Sequence, residues 1–279
     1  MSESSKTDIV INYPSWWKPD FREIFSYREL FFFFAWRDIK VRYKQAVFGF
    51  LWAILQPLIL MIVFSFFWAR AVKIETEFSY PVFVYSGLAL WMLISSVIAA
   101  ASQSMVEHAN IIRKVYFPRV IIPVSSFVVC IFDFCMTLLI FPLLMFFWGT
   151  GVNYHNLLVC LPISMIIAVN SSVGAGLFFA ALNIKYRDFR YVVPFFLQMT
   201  FFLTPVLFPP ELIKPDYLKN IVMLNPLAVA ISLFRKIFSC EPAILFSNTV
   251  VIALIISLLL LISGFFFFRK IEITCADHI

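Results

Sequence analysis

The chain has 279 residues, 62% hydrophobic and only 14% charged, with a mean hydropathy of +0.92 and a formal net charge of +6. A water-soluble domain of this size is about half apolar and about a quarter charged, so a fold surrounded by water is excluded. The cations stand at the ends of apolar stretches, where topology and lipid headgroups account for them, and not in a nucleic-acid-binding patch.

Residues 1–20 are polar and contain acids, with no apolar segment before a small-residue cleavage site, so they are expected to stay on the mature protein and in the cytoplasm. Residues 15–44 mix aromatics with charges at close intervals. Ile24, Tyr27, Phe31, Phe32, Ala35 and Ile39 recur at three- and four-residue steps and share a helical face, while Arg22, Glu29, Arg37, Lys40 and Lys44 fall largely elsewhere. The uninterrupted apolar run from Leu30 to Trp36 is too short to cross a bilayer. The pattern predicts an amphipathic helix in the cytoplasmic interface, rings in the acyl boundary and cations at the headgroups. Arg37, Lys40, Arg42 and Lys44 form a collar there, against a stretch from Gln45 to Ala69 that carries no charge.

A membrane-crossing helix needs about 20 mostly apolar residues. Charge-free stretches cover 45–69, 78–106, 120–132, 134–184, 191–210 and 242–268. The longest breaks at GTGVNYHN (149–156), which has turn chemistry, and 120–132 joins its neighbour across Asp133. Six spans are expected, near 46–69, 80–104, 120–147, 157–184, 191–209 and 243–268. An even number puts both termini on one side. With that side cytoplasmic, segments 1–45, 105–119, 185–190 and 269–279 hold eight, three, three and two of the 22 Lys and Arg, leaving six outside. Residues 205–241 carry Pro205, Pro209, Pro210, Pro215 and Pro226 between two apolar pieces. A re-entrant helical hairpin over 206–238, entering from outside and shielded by protein, fits this stretch. The expected division is therefore a cytoplasmic N-terminus (1–45), a six-span all-α domain (46–268) and a cytoplasmic tail (269–279).

No Gly is followed by Lys, so the usual phosphate-cradling loop of a nucleotide-hydrolysing subunit is missing, and the motifs of zinc proteases and serine hydrolases are missing too. His108, His155 and His278 lie in separate loops or tails, and no metal site is expected. The five cysteines form no pairing pattern and read as buried thiols. Asp133 is the one acid deep in an expected span. It reads either as a structural hydrogen-bonded or protonated acid, or as a pathway or gating group. Ala168, Ser172, Gly176 and Ala180 form a ladder of small residues for close helix packing. Segment 107–119, EHANIIRKVYFPR, combines Arg113, Lys114 and Arg119 with Ile111, Ile112, Tyr116 and Phe117. It predicts about two helical turns ended by Pro118, suited to docking in another protein's groove, with a simple cationic tether as the plainer reading.

RYKQAVFGFLWAILQP after the interface helix, ALNIKYRDFRYVVPFFLQMTFFLTPVLFPPELI after the fourth span and LNPLAVAISLFRKIF together resemble the type-2 ABC exporter permeases that move lipid-linked polysaccharide: O-antigen, capsule or wall teichoic acid. The resemblance covers about residues 20–270 and is most specific at 42–57 and 183–210; the N-terminal stretch is most like the O-antigen permeases. It implies a homodimer in the bacterial inner membrane, paired with two cytoplasmic ATP-binding subunits that carry ATP and Mg, with no cofactor on this chain and no enzyme activity of its own. It implies a coupling helix at Ile111, Ile112, Arg113, Lys114, Tyr116, Phe117, Pro118 and Arg119, and a further ATPase contact at 185–190. It also implies an outer gate at about 206–238 and an aromatic channel, for which position suggests Tyr43, Phe48, Trp52 and Tyr85. The headgroup of a lipid-linked glycan would meet Arg37, Lys40, Arg42 and Lys44. A secondary transporter or a membrane-embedded enzyme acting on lipid-linked sugars stays open as an alternative.

Overall fold

Lipid offers no hydrogen-bond partner to a peptide group, so a chain this apolar is confined to helices that pair their own backbone. The computed structural model describes residues 21–44, 49–71, 76–112, 114–115, 117–239 and 247–275, and among these the ordered structure is all helical. Phe48, Arg113 and Tyr116 lie outside the described residues. The helices are α1 (Phe21–Ser26), α2 (Arg28–Lys44), α3 (Leu51–Ala71), α4 (Tyr80–Glu107), α5 (Ala109–Ile112), α6 (Ile121–Leu138), α7 (Phe141–Trp148), α8 (Tyr154–Lys185), α9 (Phe189–Leu203), α10 (Asp216–Met223), α11 (Pro226–Arg235) and α12 (Asn248–Cys275).

Among the described residues, four units are long and apolar enough to cross a membrane: α4, α6 with α7, α8, and α12. Pro142 at the start of α7 lacks the N–H that would have bonded back to Leu138, so α6 and α7 are two helices of one rod. Asn153 starts α8 by accepting from the backbone N–H groups of His155 and Asn156. α3 is apolar over Leu51–Phe67 and runs on to Ala71, and α9 is a shorter apolar helix over Phe189–Leu203. The stretch expected to span at 191–209 is helical only to Leu203. Its 15 residues rise about 22 Å, below the ~30 Å hydrocarbon thickness. The cause is local: Thr204 precedes Pro205, whose ring disfavours helical backbone behind it, and Thr204 is extended (φ −96°, ψ 140°).

The hairpin expected over 206–238 takes shape as α10 and α11 with a short 3-10 turn on each side, α10 and the α11 unit meeting at 94°. Asn225 makes the corner: its side chain accepts from the N–H of Leu227, and Pro226 occupies the first turn of α11. α11 is buried along its length, while α10 has no buried residue.

α8 is the central post, packed by α12, α4, α11, α6 and α9. The ladder Ala168, Ser172, Gly176 and Ala180 is buried, and Gly176 lies against Ala101 of α4. A second contact went unread in the sequence. Gly174 of α8 meets Gly264 of α12 so closely that a Cβ on Gly174 would come within 2.5 Å of the Leu260 carbonyl, and one on Gly264 would strike the Gly174 carbonyl. The backbones touch because neither residue has a side chain.

Two apolar clusters hold the ends. The larger runs through the bundle to Tyr80, Phe83, Phe141, Phe234 and Phe238 at the hairpin end. The smaller joins Phe34 of α2, Phe117, Ile121 and Ile122, Leu177 and Ala181 of α8, and Phe268 and Ile271 of α12 at the other. α2 and the last turns of α12 therefore share an end with the 108–120 connector. The buried stripe of α2 departs from the pattern read in the sequence. Phe34 and Ala35 face inward, and Phe32 is exposed with Phe33 and Trp36.

Replacing Gly264 by Leu should force α12 off α8 and cost about 1–3 kcal/mol, the usual price of overpacking. Gly151→Ala, at an open position, should leave stability unchanged. Thermal unfolding in detergent measures both.

Candidate functional site

An acid inside a membrane helix must find a partner or stay uncharged. Asp133, midway along the α6–α7 rod, has two: Arg42 Nη1 lies 3.0 Å from one carboxylate oxygen and the Tyr43 hydroxyl donates to the other. Both partners come from the last turn of α2, which runs alongside α6. The Tyr43 ring packs on Phe132, 5.6 Å between centroids. The trio forms one wall of a cavity of about 550 Å³ whose other walls are Trp52 and Gln56 of α3, Ser95 and Ser96 of α4, and Leu197 of α9. Of the residues expected along a channel, the structure brings Tyr43 and Trp52 to this cavity. Tyr85 is elsewhere, fully buried, donating to the Thr137 carbonyl at 2.8 Å with its ring edge-on to Phe141.

The four collar cations have different surroundings. Arg42 belongs to the cavity. Arg37 bonds Asp38 at 2.8 Å and lies over the Phe34 ring. Lys40 stands over the Trp36 ring on the outward face of α2, and Lys44 is exposed beside it. Arg37 also reaches His108 Nε2. His108 closes the end of α4, is buried, and donates from Nδ1 to the Ser104 carbonyl at 2.7 Å, with Nε2 turned toward Arg37 and Asp38. Burial works to raise the Asp38 carboxyl, but His108 and Arg37 beside it outweigh burial and hold it below the ordinary carboxylate range. The sequence gave no sign of this knot, because Asp38 and His108 are 70 positions apart.

The connector after α4 is less helical than expected. Only Ala109–Ile112 is helix; Lys114 and Val115 form a turn and bend. Pro118 pushes Phe117 out of helical backbone. Phe117 is buried against Phe34, centroids 5.7 Å apart, and Pro118 is buried beside it. The Arg119 N–H donates to Glu272 of α12 at 2.8 Å. Ile111 and Ile112 pack on the small cluster, while Lys114 is exposed. A second cavity, about 420 Å³, opens beside the connector and is lined by Glu107, Ile112, Asn183, Arg187 and Arg190. It joins the connector to the 185–190 loop.

Arg235 escaped the sequence reading. It ends α11 fully buried, its guanidinium 3.6 Å from the Phe83 ring, donating to the Pro205 carbonyl at 2.6 Å and also to that of Val206. Gly87 makes the room, since a Cβ there would strike the Arg235 guanidinium and lie 2.6 Å from the Val206 carbonyl. A cation closing the otherwise apolar run 221–234 was the available signal.

The model of a family described as ABC-2 type transporter matches residues 29–239. The O-antigen export system permease protein RfbA of Myxococcus xanthus is 26% identical over 218 residues, which is 78% of this chain and 83% of that one. Two proteins of the same name from Klebsiella pneumoniae are 27% and 30% identical over 202 residues, 72% of this chain and 77% of theirs.

Removing one partner of an enclosed pair leaves the other charge stranded. Arg42→Leu should lower stability in detergent by about 1–2 kcal/mol, less than for a fully buried pair because Arg42 is half-exposed. Arg42→Leu combined with Asp133→Leu should recover most of that loss, read from the same melting curves.

Proposed function

The chain belongs to the ABC-2 type transporter family, as a permease subunit in a multi-pass membrane protein, and from that premise we propose that its cargo is lipid-linked O-antigen. It works as a homodimer in the bacterial inner membrane, with both termini in the cytoplasm and two cytoplasmic ATP-binding subunits attached. The six-span reading belongs to this proposal. α3 and α9 complete the crossing helices, and the α10–α11 hairpin guards the outer mouth. α2 lies in the cytoplasmic interface with Phe32, Phe33 and Trp36 toward lipid and Lys40 and Lys44 at headgroup level, where anionic lipid is attracted. ATP and Mg are bound by the partner, and this chain supplies the path.

The observation that carries the proposal is a mechanical one. The connector is tied to α2 twice, by Phe117 on Phe34 and by His108 on Arg37, and α2 is tied to the cavity by Arg42 and Tyr43 on Asp133. A push on the connector is delivered to the cavity wall along a single helix. Residues 111–119 receive that push. Ile111, Ile112, Phe117 and Pro118 anchor the segment to the bundle, and Arg113, Lys114, Tyr116 and Arg119 meet the ATPase, with Arg187 and Arg190 beside them. Tyr43, Phe48 and Trp52 supply aromatic faces for sugar rings, which offer broad contact without gripping one linkage.

Neutralising Arg113, Lys114 and Arg119 together to Gln should cut polymer export roughly tenfold while the complex still hydrolyses ATP, the size of an ordinary coupling energy. Export in a permease-null strain and ATP turnover of the purified complex are the paired readouts. Unchanged export with unchanged coupling would remove the connector from the mechanism.

A further inference from the structure

We propose that the cavity behind Arg42 is a reception site for a phosphate-bearing lipid headgroup, in which the phosphate replaces Asp133 as the partner of Arg42. This deepens the exporter reading and rests on it.

The cavity's size, about 550 Å³, is that of a small-ligand pocket. Arg42 and Asp133 are its charged groups among the described residues, and they stand paired on one wall of it. Arg42 engages Asp133 through Nη1 and keeps 47% of its side chain exposed, so the fork remains accessible to a second acceptor. A guanidinium has five donors and matches phosphate oxygens two at a time. Gln56 adds a neutral donor beside it, while the Tyr43 hydroxyl is given to Asp133. Leu93, Phe134 and Leu197 give the lining an apolar part that suits the first carbons of a lipid tail.

Asp133 is the informative part. A site selected only for tight anion binding would exclude a carboxylate. Here the acid is already the counter-ion of Arg42. It neutralises Arg42 in a low-dielectric setting and competes with the incoming phosphate, holding affinity low enough for the headgroup to leave. The exchange also frees the end of α2 from α6. Because α2 is knotted to His108 five residues upstream of Arg42, loading is reported to the connector. A purely structural Asp133 would lack this consequence: removing its charge should strengthen binding and weaken transport.

The test uses the permease–ATPase complex in nanodiscs of phosphatidylcholine, with farnesyl pyrophosphate as probe. Binding is read as quenching of Trp52 fluorescence, a Trp52→Phe complex defining the signal of the other Trp residues. Inorganic pyrophosphate and nanodiscs containing phosphatidylglycerol are the parallel arms. Wild type should bind the prenyl pyrophosphate, Arg42→Gln should bind about tenfold more weakly, and Asp133→Asn about tenfold more tightly, with slower export. Arg28→Gln, at the far end of α2 from the cavity, should bind like wild type. Equal competition by phosphatidylglycerol would assign the site to bulk phospholipid, and equal affinity for inorganic pyrophosphate would assign it to the free anion; either overturns the proposal. So would Asp133→Asn binding no more tightly, or Arg28→Gln losing as much as Arg42→Gln. Tyr43→Phe keeps the test open if Asp133→Asn fails to fold, since losing the hydroxyl that helps hold the carboxylate should also tighten binding. Should the probe not bind while the complex still exports polymer, the cavity proposal fails and the exporter reading stands. If the complex exports nothing, the exporter reading fails.

Discussion

An ionised side chain taken into hydrocarbon loses its water, and everything distinctive in this bundle is arranged around two that have been taken there. Asp133 meets the difficulty with an opposite charge and a hydroxyl, both delivered by α2. Arg235 meets it with backbone carbonyls and the face of a phenyl ring. Both solutions recruit a distant part of the chain, and both therefore fix how one element sits on another. In an otherwise oily helix bundle, where packing is driven by shape alone, such polar ties are what make one arrangement preferred over its neighbours.

α2 gains its importance from this. By its own sequence it is a modest helix with acids early and cations late, favourable to its dipole but with little apolar asymmetry. Its position comes from three ties within ten residues: Phe34 in the small cluster, Arg37 and Asp38 at His108, and Arg42 with Tyr43 at Asp133. A helix held so at both ends moves as a rod. The connector between α4 and α6 is held to the same rod through Phe117 and to α12 through Glu272.

Much of this was legible in the sequence because membrane helices announce themselves by what they lack. Long charge-free stretches marked α4, the α6–α7 rod, α8 and α12 to within a few residues, and the prolines of 205–241 marked the hairpin. Which residues of α2 pack inward was not legible, because a run of four consecutive Phe gives periodicity nothing to select; only the docking partner, Phe117, decides that Phe34 turns inward while Phe32 stays exposed. The contact of Gly174 with Gly264 was hidden for a related reason, since each glycine alone is an ordinary helix residue and only the crossing gives the pair meaning. Asp133 was seen at once as costly. Its partners lay 90 residues away in a segment read as a surface collar, and no local pattern joins the two.

The short fifth helix and the buried arginine are one fact. If α9 continued as a regular helix past Leu203, the carbonyls of Pro205 and Val206 would point along its axis, toward N–H groups a turn ahead. The extended backbone at Thr204, enforced by Pro205, releases them sideways. They then face α11, where Arg235 arrives as the last residue of its helix with a positive charge and no carboxylate within ion-pair distance among the described residues. Gly87 on α4 leaves the space for the three to meet. The hairpin is thus bolted to the end of α9 and leaned on α4 by a cation that accepts no substitute of similar charge: a lysine has one ammonium to offer where two carbonyls and a ring face are waiting. A displacement of α9, which also contributes Leu197 to the cavity, must therefore carry the hairpin with it. The cavity in the middle of the bundle and the hairpin at its end are in this way linked through the element that is too short to cross on its own.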